Sequence, residues 1–179
     1  RDLRMSRGLG DVYKRQSHLC GAKWWKVWYY PTVYGRKGRP GLTGEYQHSL
    51  DSKGRLFIPA KLRDELGDTF YLTVSDERCL RAYSAESWQG FVDRVRAMPF
   101  VDRKKMRPFF ACAAKCELDA QGRALLPQGL RDFAGLTKNV AVIGCDDHAE
   151  LWDSEAWAPV HLEETTPEYI AAMMKELNF

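Results

Sequence analysis

The chain has 179 residues, enough for one domain or two small ones with a real core. Hydrophobic residues make up 45% and charged residues 28%, which excludes wholesale disorder, while a net charge of +3 argues for no anionic partner by itself. The longest uninterrupted apolar runs, such as residues 109–114, are about a third of a membrane span, so no membrane partner is expected.

The charge is unevenly placed. Residues 1–43 hold ten Lys/Arg and two acids, a net of +8, whereas residues 44–179 hold seventeen and twenty-two, a net of −5. The leading stretch also carries Trp24, Trp25 and Trp28 and shows neither helical nor strand periodicity. Two readings stand: a basic aromatic arm that grips nucleic acid, or an extraneous or disordered segment outside the fold. Residues 8–16 resemble read-through of adaptor DNA, which favours the second. Lys23 and Lys26 interrupt the only candidate secretory core, and five scattered cysteines (Cys20, Cys79, Cys112, Cys116, Cys145) suit a reducing cytoplasm.

An internal repeat organises the remainder. Leu50-Asp51-Ser52-Lys53-Gly54-Arg55 recurs as Leu118-Asp119-Ala120-Gln121-Gly122-Arg123 at an offset of 68, through Gly67 and Gly135. Further on, Tyr83-Ser84 answers to Trp152-Asp153 at 69, which one inserted turn residue would explain. In each copy Asp-x-x-Gly predicts a turn, followed by a short strand at 55–58 or 123–126. Pro59 and Pro127 predict the start of a brief helix that ends at Gly67 or Gly135. Strands are predicted at 70–74 and 80–83, mirrored at 140–143 and 149–152. Ser84 and Asp153 then cap longer helices, the first with an apolar stripe of Trp88, Phe91, Val92 and Val95. A helical segment follows at 102–113, and a last helix opens at Thr166-Pro167. Copies of about 65 residues are marginal alone, so a shared core is expected. The division is residues 1–43, then a first repeat with helices at 44–113 and a second with the C-terminal helix at 114–179.

The run from Gly44 through Arg63, with Glu117 to Arg123 and Leu151-Trp152-Asp153, resembles the MraZ family of bacterial regulators at the head of the division and cell-wall gene cluster. The resemblance spans residues 44–178 and contains both motifs in order. It implies an α+β fold of two tandem swapped-hairpin, AbrB-like β-barrel half-units forming a pseudo-dimer with flanking helices. It also implies a nucleoid-associated cytoplasmic regulator, usually a repressor of its own operon, that binds tandem G-rich promoter repeats in double-stranded DNA. Family members close into homo-oligomeric rings of roughly eight to twelve subunits.

Arg55 and Arg123 are the leading DNA-binding candidates, because a guanidinium at a hairpin tip matches guanine O6 and N7 in the major groove. The alternative is a structural clamp, each Arg pairing with the Asp of its own motif. Lys53 and Gln121, two residues earlier, would share the Arg face on an extended hairpin and reach phosphate or base. Asp51, Gly54, Asp119 and Gly122 are read as supporting turn residues. Lys61, Arg63 and Arg131 are read as solvated helix positions, with auxiliary phosphate contact as the alternative, and Arg103 to Lys105 with Arg107 as a helix exterior. Cys112-x3-Cys116 and Cys145-x2-His148 lack the C-x2-C spacing of a strong metal signal, so no metal or other cofactor is expected. No nucleophile elbow, P-loop or paired-carboxylate motif appears, so neither an enzyme nor a small-molecule substrate is expected. The competing class is an antitoxin-like scaffold with a protein partner, although a disordered binding tail would be usual there and the final segment reads as a helix.

Overall fold

The computed structural model describes residues 41–178. The arm reading and the Trp cluster of residues 1–40 lie outside the described residues. The protein is α+β, and the described residues form fifteen elements in chain order. The first repeat contributes strands β1 (Glu45–Ser49) and β2 (Arg55–Phe57), helix α1 (Ala60–Leu66), strands β3 (Thr69–Val74) and β4 (Leu80–Ser84) and helix α2 (Ala85–Ala97). Two short helices, α3 (Phe100–Lys105) and α4 (Arg107–Ala111), lead to the second repeat. That repeat comprises β5 (Ala114–Glu117), β6 (Arg123–Leu125), α5 (Gln128–Ala134), β7 (Asn139–Gly144), β8 (Ala149–Asp153), α6 (Ser154–Glu164) and α7 (Pro167–Leu177).

The strands form a six-stranded antiparallel sheet ordered β1-β7-β8-β4-β3-β5 and a two-stranded ribbon of β2 and β6. Replacing each strand by its equivalent in the other repeat reverses the order and leaves it unchanged. The first strand of each repeat pairs with the other repeat: Tyr46 lies opposite Val142 and Cys116 opposite Phe70. The ribbon likewise takes one strand from each repeat, with Leu56 opposite Ala124.

Strand alternation divides the side chains between two faces. Phe70, Leu72, Val140, Val142 and Leu151 point to one face, where Leu56, Ile58, Ala124 and Leu126 with Leu62 and Leu66 of α1 and Leu130 and Ala134 of α5 complete a single buried core. Both repeats build that core, as their size requires. On the opposite face Tyr71 stacks on Trp88 of α2 at 5.2 Å, and the Thr73 hydroxyl donates to the Phe109 carbonyl at 2.7 Å. Cys79, Ala141, Trp152 and Trp157 form a second small cluster under α6.

The caps follow the sequence, with some differences. Ser84 Oγ accepts from the Ser87 amide at 3.1 Å, Asp153 Oδ1 from the Glu155 amide at 3.1 Å, and Thr166 Oγ1 from the Tyr169 amide at 3.3 Å. Pro59 and Pro127 stand at the N-cap, outside the first turn, with extended ψ of 136° and 139°. The segment expected as one helix at 102–113 breaks at Met106, because Pro108 in the first turn of α4 has no N–H to continue the ladder. The repeat offset does not slip by a single insertion. It is 70 between β3 and β7, where Phe70 corresponds to Val140, and returns to 69 at Ser84 and Asp153. Two residues are added after Gly135 and one is lost in the second hairpin turn. The longer connection buries Leu136 and lets the Thr137 amide and hydroxyl both donate to Asp153 Oδ2, at 3.2 and 2.9 Å.

At the N-terminal edge, Leu42 is buried and exchanges two 2.8 Å backbone hydrogen bonds with Asp146. The packed chain therefore includes residues upstream of the boundary read at 43/44. Among the described residues no helix is long and apolar enough to cross a membrane.

Candidate nucleic-acid interface

The two Asp-x-x-Gly-Arg turns meet at the ribbon. Asp51 Oδ1 accepts from the amides of Lys53 and Arg55, both at 2.9 Å, and Oδ2 from Arg55 Nε at 2.7 Å. Asp119 repeats this with Gln121, Arg123 and Arg123 Nε, all at 2.9 Å. Gly54 and Gly122 close the turns at φ of +77° and +74°, a conformation that disfavours any residue with a Cβ. Each carboxylate thus accepts three N–H groups of its own turn and aims its arginine.

The two turns are also tied to each other. Arg55 Nη1 lies 3.8 Å from Asp119 Oδ2 and Arg123 Nη1 lies 3.7 Å from Asp51 Oδ2, so two arginines and two aspartates form one crossed network. The clamp that the sequence offered as the alternative role of Arg55 and Arg123 is present in the structure. It leaves Arg55 Nη2 outside the network contacts, whereas Arg123 Nη2 binds Asp119 at 2.8 Å. The side chain and then the amide of Arg123 hold the Asp119 carboxyl down at about 2. The Asp51 carboxyl is also lowered, first by the Arg55 amide.

Lys53 and Gln121 are exposed, but the strands begin only at Arg55 and Arg123. Alternation therefore does not carry back to them, and the expected shared face is replaced by a position in the turn beside the arginines. Arg63 and Arg131 also depart from the sequence reading. They are half-buried rather than fully solvated. Arg63 lies over the Phe57 ring at 5.2 Å and against Gly122, while Arg131 packs against Gly54 and donates from Nε to the Leu126 carbonyl at 3.1 Å. Each arginine thus props the turn of the other repeat, and Arg63 Nε is buried with no hydrogen-bond partner among the described residues. Lys61 remains exposed on α1. The sequence did carry a signal for the two props, since Leu62-Arg63-Asp64 and Leu130-Arg131-Asp132 recur at the same offset as the turns.

Register completes the surface. With Leu56 and Ala124 turned into the core, the outer ribbon face presents Arg55 opposite Leu125 and Phe57 opposite Arg123. Leu125 is 58% exposed. Lys53, Arg55, Arg63, Arg123 and Arg131 bring five cationic groups to this patch against the two aspartates of the network, on a body that is acidic in total. A pseudo-two-fold ribbon with cations at both ends has the shape and sign to meet a phosphate-lined groove.

A family profile described as "MraZ protein, putative antitoxin-like" matches residues 42–107 and 109–167, more than half of the chain. The chain belongs to the MraZ family. A "Transcriptional regulator MraZ" of Acetivibrio thermocellus is 46% identical over 139 residues, covering 75% of this chain and 97% of the relative. Proteins of the same name from Heliobacterium modesticaldum and Caldicellulosiruptor bescii are 41% and 40% identical, each over 76% of this chain and 96% and 99% of the relative. The MraZ match begins at residue 42, the first core residue described.

Proposed function

We propose that this protein is a sequence-specific, double-stranded-DNA-binding transcriptional regulator, a repressor of the division and cell-wall gene cluster that includes its own gene. The observation that carries this reading is the pairing of two equivalent Asp-x-x-Gly-Arg turns on one ribbon, in a chain whose MraZ relatives are named transcriptional regulators. Arg55 and Arg123 read guanine, with Lys53 and Gln121 beside them contacting phosphate or base. Asp51, Gly54, Asp119 and Gly122 hold the turns. Arg55 keeps Nη2 outside the network for guanine O6 or N7, whereas Arg123 is engaged at all three nitrogens and must loosen an aspartate contact to offer the same match, worth about 1–3 kcal/mol of base discrimination. Exchange of first strands between the repeats, 44–113 and 114–179, supports an AbrB-like swapped-hairpin pseudo-dimer. Residues 1–43 have no part in this reading.

The four-membered network is neutral, so a single ribbon binds weakly and the regulator acts by multivalency. Phe100, Val101, Leu162 and Met174 are exposed apolar side chains on α3, α6 and α7, which supports self-association into a ring. A ring placing several ribbons along tandem G-rich repeats gains about 10²–10⁴ in avidity without new contacts. The protein then works in the cytoplasm, on the nucleoid.

The test is binding to DNA from upstream of the gene, beside a scrambled control, with oligomer size measured in parallel. Arg55→Ala and Arg123→Ala should each weaken binding about 5- to 150-fold, the equivalent of 1–3 kcal/mol, without changing oligomer size. Binding by both variants at wild-type concentration would overturn the roles assigned here.

A further inference from the structure

The β7–β8 turn gathers side chains that DNA recognition does not use. Cys145, His148 and Glu150 each offer one ligand atom, and these atoms lie within 4.8 Å of one another. All three are half-buried, so the cluster is neither sealed nor fully solvated. His148 Nδ1 is 2.6 Å from Asp147 Oδ1, and Nε2 is 3.4 Å from Glu150 Oε1. Glu150 Oε2 accepts from Trp152 Nε1 at 2.9 Å.

With the imidazole proton on Nδ1 and donated to Asp147, the Nε2 lone pair faces a carboxylate oxygen. Two acceptors 3.4 Å apart need a proton or a cation between them. Nitrogen and oxygen ligands about 2.0–2.1 Å from a tetrahedral ion are themselves about 3.3 Å apart, close to the separation seen. An inward movement of about an ångström brings the Cys145 sulfur to the third corner, at the usual zinc–sulfur distance of about 2.3 Å. The contacts behind the ligands are those that orient metal sites: a carboxylate on the far imidazole nitrogen and a donor on the far carboxylate oxygen.

The charge around the cluster favours a cation. Arg81 Nε is 3.5 Å from Glu150 Oε1, but Arg81 Nη2 is held at 2.8 Å by Asp76. Glu77, with Cys79, shares Glu150 in an adjoining group of potential ligands. Asp76, Glu77, Asp147, Glu150 and Glu164 thus outnumber Arg81 and Arg94 around the cluster. A thiol, an imidazole and a carboxylate together suit zinc rather than magnesium or calcium.

We infer that Cys145, His148 and Glu150 form a three-ligand site for a zinc-class divalent cation, with water in the fourth position and Asp147 and Trp152 as positioning residues. On binding, the Cys145 thiol loses its proton to solvent as the sulfur–metal bond forms. The site clamps the turn whose Asp146 anchors Leu42, so it stabilises the edge of the fold.

The test uses the full chain, stripped with a chelator and titrated with Zn²⁺ and then with Co²⁺ as a spectroscopic probe. The expected result is one equivalent bound per chain, a Tm rise of about 5–10 °C at roughly a hundredfold excess over Kd, and a thiolate-to-cobalt charge-transfer band. Cys145→Ser should abolish the band, and Asp147→Asn should weaken affinity about 10- to 100-fold. Cys112→Ser, at an exposed thiol, should change neither. No uptake by the wild-type chain, with His148 found as an imidazolium between the two carboxylates, overturns the inference. Equal binding by Cys145→Ser and His148→Asn also overturns it, since the metal would then sit elsewhere. If those variants fail to fold, the wild-type cobalt spectrum decides, because a thiolate-free spectrum excludes Cys145.

Discussion

Gly122→Ala tests the crosswise support of the turns. A Cβ at Gly122 would lie 2.8 Å from Arg63 Cζ, at a backbone φ of +74°. Holding a residue with a Cβ in that left-handed conformation costs about 1–2 kcal/mol. The guanidinium must also move off the Phe57 ring, which forfeits about 0.5–1 kcal/mol. The sum, about 1.5–3 kcal/mol, corresponds to a Tm lower by about 5–10 °C. The assay is thermal or urea unfolding of wild type, Gly122→Ala, Arg63→Ala and the double variant. In the Arg63→Ala background the steric part disappears, and Gly122→Ala should then cost only the about 1–2 kcal/mol of the backbone. An identical cost in both backgrounds would refute the packing of Arg63 on the turn of the other repeat. Gly122→Asn should be milder than Gly122→Ala, since Asn tolerates positive φ.

Leu56 is fully buried between the ribbon and the sheet, so Leu56→Ala should cost about 2–5 kcal/mol in urea unfolding. Burial raises the Asp153 carboxyl and the Thr137 and Glu155 hydrogen bonds lower it, with a net lowering. Its contribution is therefore present above the unfolded carboxyl value of about 3.9 and is lost as pH falls through the lower folded value. Asp153→Asn should flatten the acid limb of the stability curve and remove about 1 kcal/mol of capping near neutrality, read from unfolding at several pH values. The Asp119 carboxyl should titrate near 2 by NMR and move back toward the ordinary range in Arg123→Ala, whose side chain is the main cause of the shift. Burial lifts the Cys79 thiol to about 12, so a thiol reagent should label exposed Cys112 first and reach Cys79 only on unfolding.

The legible parts of the chain were those governed by local chemistry. Asp-x-x-Gly turns, the Ser84, Asp153 and Thr166 caps and the glycine stops are encoded within a few residues, and each is found at its expected place. The strand exchange was invisible to periodicity, because alternation in residues 45–49 names a buried face but not the partner some ninety residues away. The repeat revealed the arginines of the turns, yet their pairing to both aspartates depends on how the two copies meet. The packing of Arg63 and Arg131 is hidden for the same reason: they lie on short helices whose own residues do not cover them, and only the glycines of the other repeat give their guanidiniums somewhere to pack. The Cys145–His148 spacing lacks the C-x2-C pairing of a strong metal signal, and Glu150, the second residue of the next strand, joins the group only when alternation turns it back toward the hairpin.

The pairing of β1 with β7 also orders events on the ribosome. Glu45 must wait for Ile143 before it has a sheet partner, whereas β3 and β4 find each other within a hairpin. The first of the described strands to be made is thus among the last to be secured, and residues 44–113 emerging alone leave β1 unpaired, β3 with an open edge and β2 without its ribbon partner. Contacts this distant in sequence slow folding and expose strand edges while the chain is incomplete. Cutting the protein between its repeats would therefore yield two sticky halves rather than two working modules, and mixing the halves should restore the sheet.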